Sequence, residues 1–446
     1  MSRVSARLSL LSMAAFLMIA GAAGQTIFPY HVHKEVLSNG LKVLLIPMES
    51  HGLISYYTIV RTGSRDEVEH GRSGYAHFFE HMMFRGTKKH SAGEYDKIVT
   101  SIGADANAST WEDYTEYHLV FAKEDLDKVL DIESDRFQNL FYEKPAFQTE
   151  AGAIYGEYRK MITNPYAVLN EKLLNLAYDV HTYKHTGIGF EEDIKAMPNG
   201  FDYSKSFFQR FYRPENAVLL VVGDIDVPST LERIRKAYDT WEKGYVSPQI
   251  QQEPPQKKER TLDVSYGGRT LPILDVAFKG DAFDPSNKDV VAAYLLGELA
   301  FGQNSDLYKR LVVKEQRVES ISPTFPTNRD QPLFEIVAVV KKESDVPAIR
   351  DEILAAVEQF KKTPVSAKQL DDLKSRNKYG FLMGLDTPDH VCQAVMRLVA
   401  ITGDLDAIDR LYGAYDTIAP TDVVAAAQKY LTAERRSIVV VKGTQQ

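Results

Sequence analysis

The chain has 446 residues, of which 44% are hydrophobic and 26% charged, with a formal net charge of −8. That length is more than one compact core sustains and points to two domains. The acidic balance, with no basic block or aromatic–basic repeat, argues against nucleic acid as a partner. Cys392 is the only cysteine, which excludes intrachain disulfides and cysteine-built metal clusters.

Residues 1–24 have the layout of a secretory signal peptide: Arg3 and Arg7, then the apolar run Leu8 to Ala20, then Gly21-Ala22-Ala23-Gly24. The run is shorter than the ~20 residues a membrane span needs. The expectation is an exported, periplasmic protein with no integral membrane span after signal removal. Leu37-Ser38-Asn39-Gly40-Leu41 carries the Asn-Gly signal of a hairpin turn. A strand is expected over 53–61 and a helix over 73–84, with Ser73 as its N-cap and Gly86 just past its end. Residues 104–122 read as two strands with Trp111 to Asp113 near their turn, and 124–139 and 145–163 read as helices. Ala217 to Val222 reads as a buried strand.

The segment 246–260 is polar, proline-rich and without periodicity, so it reads as a linker. Beyond it, strands are expected near 272–279, 318–324 and 333–341, with helices near 286–300 and 344–361. Ser366-Ala367-Lys368-Gln369 reads as a capping box for a further helix. The fold class is therefore α+β, with two similar-sized domains, 25–245 and 261–446. Their similarity permits a duplicated fold.

The helix near residues 75–84 is almost wholly apolar, as a buried helix is, yet it carries His77, Glu80 and His81. Burying three ionisable groups on one helix costs several kcal/mol unless something satisfies them. At about 100° per residue all three share one face. Two imidazoles at i and i+4 can hold one ion while the carboxylate beside them holds a water, in the order His-x-x-Glu-His. Such a site needs a third protein ligand, and Glu150 and Glu157, seven apart on one helix face, are both available. His181 and His185 form a second i, i+4 pair, but without a carboxylate between them and running into the turn-like Thr186-Gly187-Ile188-Gly189. His31 and His33 read as surface residues.

These segments resemble the pitrilysin/insulinase family of zinc peptidases, in particular its bacterial branch similar to mitochondrial processing peptidase. The likeness runs through Leu37 to Leu41, His77-Phe78-Phe79-Glu80-His81-Met82, Asn107-Ala108-Ser109-Thr110, Asp113, Thr115 and Tyr117. It continues through Glu150, Glu157, Tyr212-Arg213-Pro214-Glu215-Asn216-Ala217 and Val222-Gly223-Asp224. The resemblance implies two domains, each a largely antiparallel sheet packed with helices, forming a clamshell. It implies one Zn2+ per chain, held by His77, His81 and Glu157, which stands 76 residues past His81. It makes Glu80 the general base acting on a zinc-bound water, Glu150 a supporting carboxylate, and Asn107 and Ala108 part of an edge strand that takes an extended peptide. The implied activity is hydrolysis of peptide bonds in short or unfolded polypeptides.

The second half departs from the family pattern. His390 is its only histidine, and the arginine and tyrosine that flank a Lys-Glu-Gln segment in the family are replaced around Lys314-Glu315-Gln316 by Val312 and Glu319. The glycine-rich loop expected before them is reduced to Phe301-Gly302-Gln303-Asn304-Ser305. The expectation is a zinc-bearing subunit of a heterodimer whose related partner supplies the arginine–tyrosine pair, in preference to a self-sufficient homodimer. The alternative is a non-catalytic assembly or binding subunit that keeps the peptidase fold.

Overall fold

The computed structural model describes residues 26–444, so the signal-peptide reading lies outside the described residues. No helix among the described residues is long and apolar enough to cross a membrane. The chain forms two mixed sheets, each packed with helices.

The first sheet contains β1 (His33–Val36), β2 (Lys42–Pro47), β3 (Leu53–Val60), β4 (Asp105–Thr110), β5 (Thr115–Ala122) and β6 (Ala217–Gly223). Their order is β1-β2-β6-β3-β5-β4, antiparallel except for β2 on β6. The Asn-Gly turn joins β1 to β2 as expected. Gly40 sits at φ 91°, a conformation glycine adopts without steric cost, and the Asn39 carboxamide oxygen accepts the Leu41 N–H at 3.2 Å. The second sheet contains β7 (Arg260–Tyr266), β8 (Ile273–Lys279), β9 (Val318–Thr324), β10 (Leu333–Val340) and β11 (Arg436–Gly443). Its order is β7-β11-β8-β10-β9, antiparallel except for β7 on β11.

The two orders are the same topology. In each, the first long strand lies parallel to the last, and the three strands between them in sequence extend the sheet in the same zigzag. Residues 242–258, between the sheets, contain neither helix nor strand. The fold is thus α+β, built from two similar halves in a clamshell.

The helices of the first half include α1 (Tyr75–Met82), α2 (Ala92–Ser101), α3 (Leu126–Asn139), α4 (Lys144–Met161) and α5 (Pro165–Ala177), of which α1 and α4 carry the site. The slot that α1 occupies between β3 and β4 is filled in the second half, between β8 and β9, by the helix Lys288–Phe301. That helix is buried along Val290, Val291, Leu295 and Leu296 and carries no histidine.

The halves also exchange helices. Leu169, Leu173 and Ala177 of α5 pack on Ile273, Ala277, Val439 and Val441 of the second sheet. In return, Val391, Cys392, Val395 and Val399 of the helix Pro388–Thr402 pack on Leu44, Ile46, Tyr57, Val218 and Leu220 of the first. Each fully buried large aliphatic side chain contributes about 1.5–3 kcal/mol, so these contacts bind the halves firmly.

One group on that shared face works against stability. Asp275 of β8 points toward α5 between Ile273 and Ala277, is 1% exposed, and its Oδ1 has no hydrogen-bond partner among the described residues. Glu335 lies diagonally across on β10. Burial raises the Asp275 carboxyl from 3.8 to about 7. Burial and the neighbouring Asp275 and Glu112 carboxylates push Glu335 up as well. A carboxyl raised on folding favours the folded state fully below its unfolded pKa and loses that contribution as pH rises through the folded one. The contribution of this pair to stability therefore declines from about pH 4 to above pH 7. Asp275→Asn should raise the thermal midpoint by about 2–4 °C at pH 8 and have little or no stabilising effect at pH 4, as read by thermal unfolding at both values. An equal shift at the two pH values would contradict a charged Asp275 as the cause.

Candidate metal centre

The site grows from α1. Phe78 and Phe79 are fully buried, with Phe79 stacked on Phe207 at 5.5 Å and Phe78 packed on Phe147 at 5.0 Å. This apolar grip fixes the helix against rotation, so that His77 and His81 point toward α4 and Glu80 toward Thr110 of β4. The helix is shorter than expected, Tyr75–Met82, and Ser73 is not its cap. Gly74, at φ 90°, occupies the N-cap position, and the Ser73 hydroxyl instead donates to Asp193 at 2.6 Å and accepts the Phe190 N–H at 2.8 Å. The buried Glu67 carboxylate takes over, accepting the Gly74 and Ala76 N–H groups at 2.7 Å each. Burial pushes Glu67 up to about 8, opposed by these backbone donors.

On α4, Phe147, Ala151, Ile154 and Tyr158 face the core, and Glu150 and Glu157 lie along the adjoining line that crosses α1. Glu157 Oε2 lies 3.6 Å from His77 Nε2 and 3.3 Å from His81 Nε2. Ligand atoms of these three residues all fall within 4.8 Å of one another, and they form the only such group of three or more among the described residues. The second carboxylate plays a different part. Glu150 Oε1 lies 3.0 Å from His81 Nδ1, and its Oε2 accepts from Arg85 Nε at 2.5 Å. With Nδ1 donating to Glu150, it is Nε2 of His81 that faces Glu157 and can exchange its proton for a cation.

The charges fit the same picture. Burial lowers His77 to about 4, despite the Glu157 carboxylate beside it. Burial would also lower His81, but Glu150 and Glu157 together hold it at about 9. His81 hydrogen-bonds Glu157 and lowers it, against its burial. Two imidazole nitrogens and one carboxylate oxygen converging on one point are a donor set suited to Zn2+, with room left for a fourth ligand. Glu80 stands outside this triad. Burial raises its carboxyl, while a hydrogen bond from the Thr110 hydroxyl opposes the rise.

Asn107 and Ala108 lie on β4, the outer strand of the first sheet. Trp111 N–H donates to the Tyr114 carbonyl, so by strand alternation Ser109, Asn107 and Asp105 hydrogen-bond to β5, and Ala106, Ala108 and Thr110 present their backbone groups to the open edge. The Ala108 N–H is met there by the Asn107 side-chain oxygen at 2.9 Å. Thr110 and Arg85 are the contributors that sequence reasoning missed. Arg85 lies past the end of α1, in the turn before Gly86, so helical spacing from His81 gave no signal for it.

The other histidine pairs lie apart from this group. His181 Nε2 lies 3.1 Å from Asp330, across the junction of the halves, and His185 Nδ1 lies 3.0 Å from the Thr186 carbonyl. His31 and His33 are exposed. In the second half, Val312 lies in a π-helical turn, Lys309–Lys314, and Glu319 faces Lys341 at 3.5 Å. The nearby Arg310 and Arg317 are both engaged by Glu352, at 2.5 and 2.7 Å.

Residues 54–189 match the family profile described as Insulinase (Peptidase family M16), and residues 201–377 match that of the Peptidase M16 inactive domain. The chain is 30% identical to a protein named Zinc protease PqqE from Helicobacter pylori, over 97% of this chain and 98% of that protein. The chain belongs to the insulinase, or M16, peptidase family. Among M16 relatives it is also 23% identical to a mitochondrial-processing peptidase subunit beta of Lentinula edodes, over 89% of this chain and 87% of that protein. The crystal structure of a protease from Helicobacter pylori superposes with a TM-score of 0.86 at 30% identity, covering 93% of this chain and 99% of the other. The fold is also that of the periplasmic protease PqqL from Escherichia coli, with a TM-score of 0.74 at 18% identity, over 93% of this chain and 48% of that one. At family level, then, this is an M16 chain of the zinc-protease type.

Proposed function

We propose that the chain is an exported, periplasmic zinc endopeptidase that hydrolyses short or unfolded polypeptides, and that it is the zinc-bearing subunit of a heterodimer. The observation that carries the reading is the convergence of His77, His81 and Glu157 beside a separate carboxylate, Glu80, next to an open strand edge. In this reading the zinc-bearing domain spans 25–245, a linker 246–260, and the second domain 261–446. His77, His81 and Glu157 would hold one zinc ion per chain. Zinc, when bound, supplies Lewis-acid polarisation of the peptide carbonyl and makes water a nucleophile at neutral pH.

The remaining work falls to the chain's own residues. Glu150 holds His81 in the tautomer that offers Nε2. Glu80, partly desolvated and raised, takes the proton from the attacking water and returns it to the leaving amine. The open edge at Ala106, Ala108 and Thr110 lets an extended peptide add as a strand, with Asn107 at its margin. A related subunit would supply donors for charge developing on the carbonyl, since Arg310 and Arg317 are engaged by Glu352. The word subunit in the name of the fungal relative and the word periplasmic in that of PqqL agree with this reading.

The test is zinc stoichiometry together with turnover of an unstructured peptide, by the purified chain alone and with a related subunit that lacks the zinc motif. One zinc per chain, weak activity alone and a large rise on mixing are expected. Full activity alone would eliminate the heterodimer. Purified protein that cannot take up zinc would favour the assembly-subunit alternative, to which the description of the second-half profile as an inactive domain also lends support.

A further inference from the structure

Trp111 is 43% exposed, although large aromatic side chains are usually buried. It follows β4 directly and is held in place. Its indole N–H donates to Ser109 Oγ at 3.2 Å, Ser109 donates to Glu116 at 2.8 Å, and Glu116 lies 3.0 Å from His118 Nδ1. His118 is in turn stacked on Tyr57 at 4.7 Å. The alternation that sends the Thr110 side chain toward Glu80 sends Trp111, Ser109 and Asn107 to the opposite face of the sheet. A peptide added along the open edge of β4 alternates in the same way, so residues on either side of a bond attacked near Glu80 point to opposite faces. One of each such pair is directed to the face that carries Trp111, within reach of an aromatic ring from a directly opposite or diagonal position.

We infer that Trp111 is a specificity-determining residue, forming one wall of a subsite for a bulky neutral side chain, aromatic or long aliphatic, of the substrate peptide. The inference rests on the peptidase reading above. A neutral occupant is favoured over a cationic one because the Arg397 guanidinium already lies 5.6 Å from the indole ring, where a second cation would be repelled. Arg397 is itself fixed by the Thr327 hydroxyl at 2.8 Å and the Asn328 side-chain oxygen at 3.0 Å.

The test uses unstructured peptides identical except for one scanned position, bearing Ala, Leu, Phe or Lys, with the full chain and whichever partner it needs for turnover. The wild type should prefer Phe or Leu over Ala in kcat/KM by about tenfold or more at one position. In Trp111→Ala that ratio should fall to about twofold or less, with zinc content unchanged, whereas Trp111→Phe should keep most of it. A second readout needs no turnover. Trp241, the other tryptophan, is only 3% exposed, so a change in indole emission on peptide binding reports Trp111. Phe peptide added to Glu80→Gln protein should shift the emission to the blue, and the shift should vanish in the Trp111→Phe double variant. A wild-type preference for Lys, a ratio unaltered in Trp111→Ala, or no emission change would overturn the assignment. If zinc-loaded wild type cleaves none of the peptides yet the emission shifts, the peptidase reading fails and the subsite stands.

Discussion

Replacement of Glu80 by glutamine should lower kcat by about 10²–10⁴-fold while zinc stays at one per chain. Glu80 lies on the same helix as the two histidines but outside the group that converges with Glu157. Glutamine has nearly the same shape, and its carbonyl oxygen can still accept the Thr110 hydroxyl, so the packing of α1 should survive. What glutamine cannot do is accept a proton from water. Metal analysis and single-turnover cleavage of the same preparation separate the two roles. Retained zinc with lost turnover is the expected pair, and a variant that turns over at the wild-type rate removes Glu80 from the chemistry.

The second large effect is on the metal itself. His77→Ala deletes one of three converging donors and should abolish stoichiometric zinc binding, and Glu157→Gln should weaken it severely. Glu150→Gln should behave differently, because Glu150 touches His81 Nδ1 and Arg85 and not the point where the donors meet. Its loss should weaken zinc affinity by about 10–100-fold and leave the stoichiometry at saturation intact. Competition with a chromogenic chelator measures all three. Equal losses in Glu150→Gln and His77→Ala would show that the division between ligand and support is wrong.

Spacing alone made His77, Glu80 and His81 readable, because helical geometry puts i, i+3 and i+4 on one face whatever surrounds them. It could not separate Glu150 from Glu157, which share a face seven residues apart. The angle at which α4 crosses α1 brings Glu157 to Nε2 of both rings and Glu150 to Nδ1 of His81, and a crossing angle is a tertiary quantity. Ser73 shows the opposite failure. A serine before an apolar helix is a sound local signal, yet Asp193, 120 residues away in sequence, binds its hydroxyl, and Glu67 reaches over to serve the helix end. Most strands were visible one by one, since runs such as Ala217 to Val222 are apolar throughout, but β7 and β11 were not read. Their common order in the two sheets was not, because order depends on which distant strands pair.

The exchange of helices between the halves bears on how the chain can be made. When β6 has been synthesised, the first sheet is complete in its strands, but one face, with Leu44, Ile46, Tyr57, Val218 and Leu220, still lacks its cover. That cover is the helix Pro388–Thr402, near the far end of the chain. A nascent first half must therefore hold an apolar sheet face open through most of the remaining synthesis, a state prone to aggregation. Either half made alone should need a holding chaperone or precipitate, and two separately made halves should become soluble only when mixed before folding is complete.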